Sequence, residues 1–185
     1  MVVMRGVLVS AMTVVALAAG CSQTPDVPGS SGDQTPETFN AVANPAQVPV
    51  LLRKELGENV TVRRVSLLEH GFTAEVRDPQ RKQNLDTYSY FYNRWDVEPV
   101  SVSQYDIDEM DKTTFGLGSV DWSVIPRLER RALDELDLED EEVSVVSVDR
   151  IAGDPPRIFI AVNGSRGNGM LIANGRGGDV VVRRN

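Results

Sequence analysis

Val48-Pro49-Val50-Leu51-Leu52-Arg53-Lys54-Glu55-Leu56 and Ile125-Pro126-Arg127-Leu128-Glu129-Arg130-Arg131-Ala132-Leu133 are two writings of one pattern, 77 residues apart. The proline, two of the leucines and the first arginine coincide, and the second basic residue is conservative. Val48, Leu51, Leu52 and Leu56 recur at helical spacing, while Arg53, Lys54 and Glu55 turn to water and Gly57 supplies a stop. Each proline falls in a first helical turn, where its missing N–H costs least. Ser123 is placed to cap the second helix. The pattern therefore predicts one helix beginning near Asn44 and a second near Ile125, with Leu51 and Leu128 in equivalent buried sites.

Strand-like runs follow each helix. In the first half these are residues 60–68, broken by Arg63-Arg64 and so expected to be bulged, then 72–76, then Tyr88-Ser89-Tyr90-Phe91-Tyr92, with an extension through Val97 to Val102. In the second half they are 143–148, 157–162, 169–173 and a closing 179–182. Asn163-Gly164, Asn168-Gly169 and Asn174-Gly175 are hairpin signals. The expected fold class is α+β: two repeated helix-plus-three-strand antiparallel (αβββ) units with the helices on one face of the sheet. Residues 44–103 and 121–185 would be the two units. Residues 104–120, acidic and then glycine-bearing, would be the linker.

Outward from the first helix, residues 22–43 are rich in proline, glycine, serine, threonine and acids. Such a stretch cannot repay the entropy of folding and is expected to be a tether with a mean reach of roughly 25 Å. Residues 1–20 begin with one arginine, Arg5, continue as a short apolar run and end in Ala18-Ala19-Gly20 against Cys21. That is the layout of a secretory signal, and the run is short for a spanning helix. Cys21 is the single cysteine, so it has no disulfide partner within the chain.

With cysteine directly after the small residues, the segment resembles the lipobox of bacterial lipoproteins. Ala18 stands where that family usually has an aliphatic residue, a tolerated change. The resemblance implies a diacylglyceryl group on the Cys21 thiol, cleavage before it, further acylation of the new amino end by a palmitate-like chain, and residence on the extracytoplasmic face of the cell membrane. Helix-plus-meander halves are also similar to the PepSY domain, most closely at Met170-Leu171-Ile172-Ala173-Asn174-Gly175-Arg176-Gly177-Gly178-Asp179-Val180. The tandem layout is similar to the secreted β-lactamase-inhibitor proteins. Both resemblances imply binding or inhibition rather than catalysis.

A formal charge of −8 argues against nucleic acid and against docking on anionic lipid, since both need a basic face. His70, the single histidine, falls in a Glu69-His70-Gly71 turn and reads as a solvated polar residue. Metal sites built on cysteine and histidine are excluded by count, and no cofactor motif is present. The acidic run 134–142 lacks the spacing of a calcium loop and reads as a solvated helix end. Gly164-Ser165-Arg166-Gly167-Asn168-Gly169 resembles a phosphate cradle but lies between strands, so it is expected to be a hairpin loop.

Tyr88, Tyr90 and Tyr92 share one sheet face by period-2 spacing, with Phe91 on the other. If Phe91 goes under the helices, the tyrosines and Trp95 face outward as a candidate partner surface. The expected function is a lipid-anchored, non-catalytic module that binds or inhibits an envelope or secreted protein. The alternative is a carrier or sensor of an apolar ligand held between sheet and helices.

Overall fold

The computed structural model describes residues 39–185; the signal segment, Cys21 and most of the expected tether lie outside the described residues. Within them the fold is mixed α+β, with a nine-stranded antiparallel sheet and three α-helices. Helix α1 is Val48–Leu56, followed by β1 Thr61–Leu68, β2 Gly71–Arg77, β3 Leu85–Phe91 and β4 Arg94–Val100. Helix α2, Gln104–Thr113, and a short β5, Phe115–Gly116, then lead to α3, Ile125–Leu136. The chain closes with β6 Glu142–Asp149, β7 Arg157–Gly164, β8 Gly167–Asn174 and β9 Val181–Arg184. Strand order is β4-β3-β2-β1-β6-β7-β8-β9, with β5 paired to the start of β1.

The register assigns the faces. Leu67 faces Phe72 and Val146, while Val65 faces Ala74 and Val148. Ile158 and Ile160 continue the row on β7, and Leu171 and Ala173 continue it on β8. All of these are buried, together with Val48 and Leu52 of α1 and Ile125, Leu128, Ala132 and Leu136 of α3. One core thus lies between this sheet face and the two helices. The bulge expected at Arg63-Arg64 is present as a register shift between Val62 and Arg64. Gly57 ends α1 with φ 92, a value glycine adopts without a Cβ penalty.

Several expectations are corrected. The third run of the first half is two strands joined by a tight turn at Tyr92-Asn93, whose φ values are 51 and 60. Two successive positive φ values match the right-handed twist of a hairpin, a role usually taken by Asn-Gly. The segment read as a linker is ordered. Ser103 and Asp106 form a reciprocal capping box at the start of α2, and Met110 is buried. Nor are all helices on one face: α2 ties to residues of the opposite face, with Arg77 2.6 Å from Asp111 and Arg63 3.5 Å from Asp106. Ser123 does not cap α3; it donates to Asp121, which organises the preceding turn.

The fold also begins earlier than residue 44. Ala41 is fully buried, and Phe39 meets Phe72 and Tyr90 edge-on. The β7–β8 turn sits at Ser165-Arg166, so Asn168-Gly169 lies inside β8 rather than in a turn. Asn174-Gly175 does turn the chain, with the Asn174 side-chain Oδ1 accepting from the backbone N–H groups of Arg176 and Gly178. The C-terminal end of α3 is closed by Arg184 of β9, which donates to the carbonyls of Leu136 and Asp137.

Helix α3 carries one unpaired buried carboxyl. Glu129 Oε1 is buried without a hydrogen-bond partner, and burial pushes its pKa up to about 7, against a lesser pull from Arg130. In the sequence alignment it matches Leu52 of α1, which is fully buried. An acid with a raised folded pKa binds its proton more tightly when folded, so stability is present at low pH and falls as pH rises from 4.5 to 7. The full linkage is about 3 kcal/mol, and about 1–2 kcal/mol after allowing for its exposed part. Glu129→Gln should flatten that slope and raise the urea midpoint at pH 8; an unchanged slope would show that Glu129 ionises freely in the fold.

Candidate functional site

Helix α1 is nine residues long and α3 twelve, roughly 13 and 18 Å. Phe72 pairs with Tyr90, Ala74 with Tyr88, and Tyr90 with Trp95, so these aromatics lie on the helix-bearing face, beside the core. The expectation that the tyrosines face away from the helices is therefore corrected. Phe72 is a core residue, and its pairing parity carries Tyr88 and Tyr90 inward and Phe91 to the reverse side. Tyr88, Tyr90 and Trp95 are half-buried there, packed against the margin of the core.

The rings form one cluster. Tyr90 and Trp95 have centroids 4.7 Å apart, Phe72 lies 5.7 Å from each of them, and Tyr88 meets Trp95 edge-on at 6.4 Å. Such contacts add about 0.5–1.5 kcal/mol each beyond area burial, which holds the exposed rings in fixed orientations. Val97, 48 % exposed, extends the apolar surface opposite Tyr88 on β4. Tyr92 does not belong to this cluster. It occupies the turn, 65 % exposed, and stacks on His70 at 5.8 Å. His70 is solvated as expected, with Nε2 3.8 Å from a Glu69 carboxylate oxygen.

Beside the cluster, at the C-terminal end of α1, opens a cleft of about 630 Å³. Leu56, Val60, Val76 and Tyr88 supply apolar lining; Glu55, Glu58, Asp78 and Asp86 supply carboxylates, and Arg77 a guanidinium. The Tyr88 phenol is raised above its ordinary pKa, first by burial and then by Asp86, Asp78 and Glu55. Backbone N–H groups of Arg81 and Gln80 hold the Asp78 carboxyl below the usual range. Sequence reading missed this cleft because its acids come from α1, the turn after it, the end of β2 and β3. The acidic run 134–142 is a helix end and turn, and among the described residues no three acidic, histidine or cysteine groups are placed to hold a metal ion.

The fold has a counterpart among solved structures. The crystal structure of a "putative lipoprotein" from Clostridium difficile 630 is similar, with a TM-score of 0.53 and 15 % identity. The match covers 74 % of this chain and 89 % of that one. At that identity the likeness speaks for the fold. No family model and no curated protein matches the chain. Among the described residues no helix is long and apolar enough to cross a membrane.

Proposed function

We propose that the chain is a lipid-anchored module of the cell envelope that binds another protein and performs no catalysis. Acyl chains on Cys21 would hold it to the extracytoplasmic face of the membrane, and the segment before Phe39 would serve as the tether. Two acyl chains anchor stably, whereas one is marginal. The two halves, each a helix followed by an antiparallel meander, are best read as descendants of one duplicated unit. The aligned prolines and leucines and the outward order of strands from β1 and β6 support that reading.

The observation that carries the binding role is the cluster of Tyr88, Tyr90 and Trp95, half-exposed and held rigid by mutual packing. Tyrosine and tryptophan dominate interface hot spots because they offer large area at low entropy cost. An apolar-ligand carrier is less well supported, since the adjoining cleft carries four carboxylates.

The test uses the full chain in its native membrane. Wild type should incorporate a fatty-acid analogue and co-purify with a partner; Cys21→Ser should lose the label and leave the membrane fraction. Val97→Arg places a charge beside the cluster at an exposed edge position, and should weaken capture about tenfold or more with unfolding changed by less than about 0.5 kcal/mol. Labelling of Cys21→Ser would overturn the anchor, and equal capture by Val97→Arg would overturn the binding surface.

A further inference from the structure

We propose that the cleft at the end of α1 receives a lysine or arginine side chain from a basic segment of the protein partner. This rests on the binding role proposed above and names the chemistry of what is bound. The cleft, about 630 Å³, lies within the usual size of ligand sites, roughly 300–1,000 Å³. Its lining matches a long cationic side chain part by part. Leu56, Val60 and Val76 suit the methylene stem, and Tyr88 offers a ring face for a cation within about 6 Å.

Four carboxylates are set against one guanidinium, and that guanidinium is already committed. Arg77 donates to Asp111 at 2.6 Å and to the Lys82 carbonyl at 2.7 Å. Asp78 is occupied by the N–H groups of Gln80 and Arg81, and Glu58 stands 3.9 Å from Arg53. The side-chain carboxylates of Glu55 and Asp86 make no hydrogen bond or salt bridge among the described residues. They come from different elements, α1 and β3, yet line the same cleft, so a cation entering it meets a carboxylate from each side. Tyr88 belongs to both cleft and aromatic cluster, and a bound segment would pass from one to the other over its ring. The overall acidity of the chain complements a basic partner and speeds its encounter.

The test titrates the detergent-solubilised full chain with an acetylated octa-arginine peptide at about 150 mM salt, where long-range attraction is screened beyond about 8 Å. Tryptophan fluorescence, read as the change at Trp95 beside the cleft against a constant contribution from buried Trp122, and calorimetry report binding. Glu55→Gln/Asp86→Asn should weaken the peptide about tenfold or more. Asp134→Asn/Asp140→Asn removes the same charge from exposed positions of the other half and should leave affinity unchanged. Both pairs should keep the wild-type unfolding midpoint.

Equal weakening by the two pairs would reduce the effect to net charge and overturn the site. No binding by wild type would overturn it as well. Spermidine binding as tightly as the peptide would replace the partner segment with a free polyamine. If Val97→Arg abolishes partner capture while the Glu55/Asp86 pair changes nothing, the binding role stands and the cationic cleft falls.

Discussion

Leu52→Ala and Leu128→Ala should each lower the free energy of unfolding by about 2–5 kcal/mol, the range for leucines emptied from a packed core. Leu52 is fully buried and Leu128 is 2 % exposed, one on each helix, and both belong to the single core beneath the sheet. Each truncation leaves a cavity between its helix and the close-packed sheet, so the surroundings cannot collapse far. Leu51→Ala should cost less, about 1–2 kcal/mol, because Leu51 is only half-buried at the edge of that core. Urea unfolding of the three variants at constant m-value checks the order. A Leu51 variant as unstable as the Leu52 variant would mean that α1 is rotated from the orientation described.

Gly71→Ala should be at least as damaging, at about 3 kcal/mol or more. A Cβ at this position would stand 1.9 Å from the carbonyl oxygen of Tyr90 and 2.9 Å from its carbonyl carbon. Those are backbone atoms of the paired strand, so no side-chain rotation relieves the clash. The β2–β3 ladder, which runs from Gly71 and Phe91 to Arg77 and Leu85, must part at its first pair. Phe72 and Tyr90 sit at the next pair, so the aromatic cluster should loosen and Trp95 emission should shift. Gly116→Ala, where a Cβ meets nothing within 4 Å, is the control and should change stability by less than about 0.5 kcal/mol. A wild-type emission spectrum and midpoint for Gly71→Ala would contradict the described register of β2 and β3.

The unpartnered carboxyl of Glu129 bears on the same helix pair. Its alignment with Leu52 places a polar group where the other half has a core leucine. Burying a carboxyl without a partner is costly, and its raised pKa expresses that cost. The two helices therefore present different chemistry to the sheet.

How far the sequence reaches can be judged from particular elements. Local pattern was enough for α1, α3 and most strands, because helical and alternating periodicity are written within windows of ten residues. The bulge at Arg63-Arg64 was also legible, since two adjacent charges cannot both keep the alternation of a half-buried strand. The Tyr92-Asn93 turn was hidden because Tyr92 continues the strand-forming run and no glycine follows Asn93. Helix α2 was hidden by its acidity, although Ser103 and Asp106 stood in capping positions.

Tertiary structure alone decided which way the tyrosines point. Period 2 puts Tyr88 and Tyr90 together and Phe91 opposite, but it is symmetric between faces. Only pairing with Phe72, itself buried beneath the helices, breaks that symmetry. The same holds for the cleft. Glu55 and Asp86 lie 31 positions apart in the chain and become neighbours around one cavity only when the end of α1 comes to rest over β2 and β3.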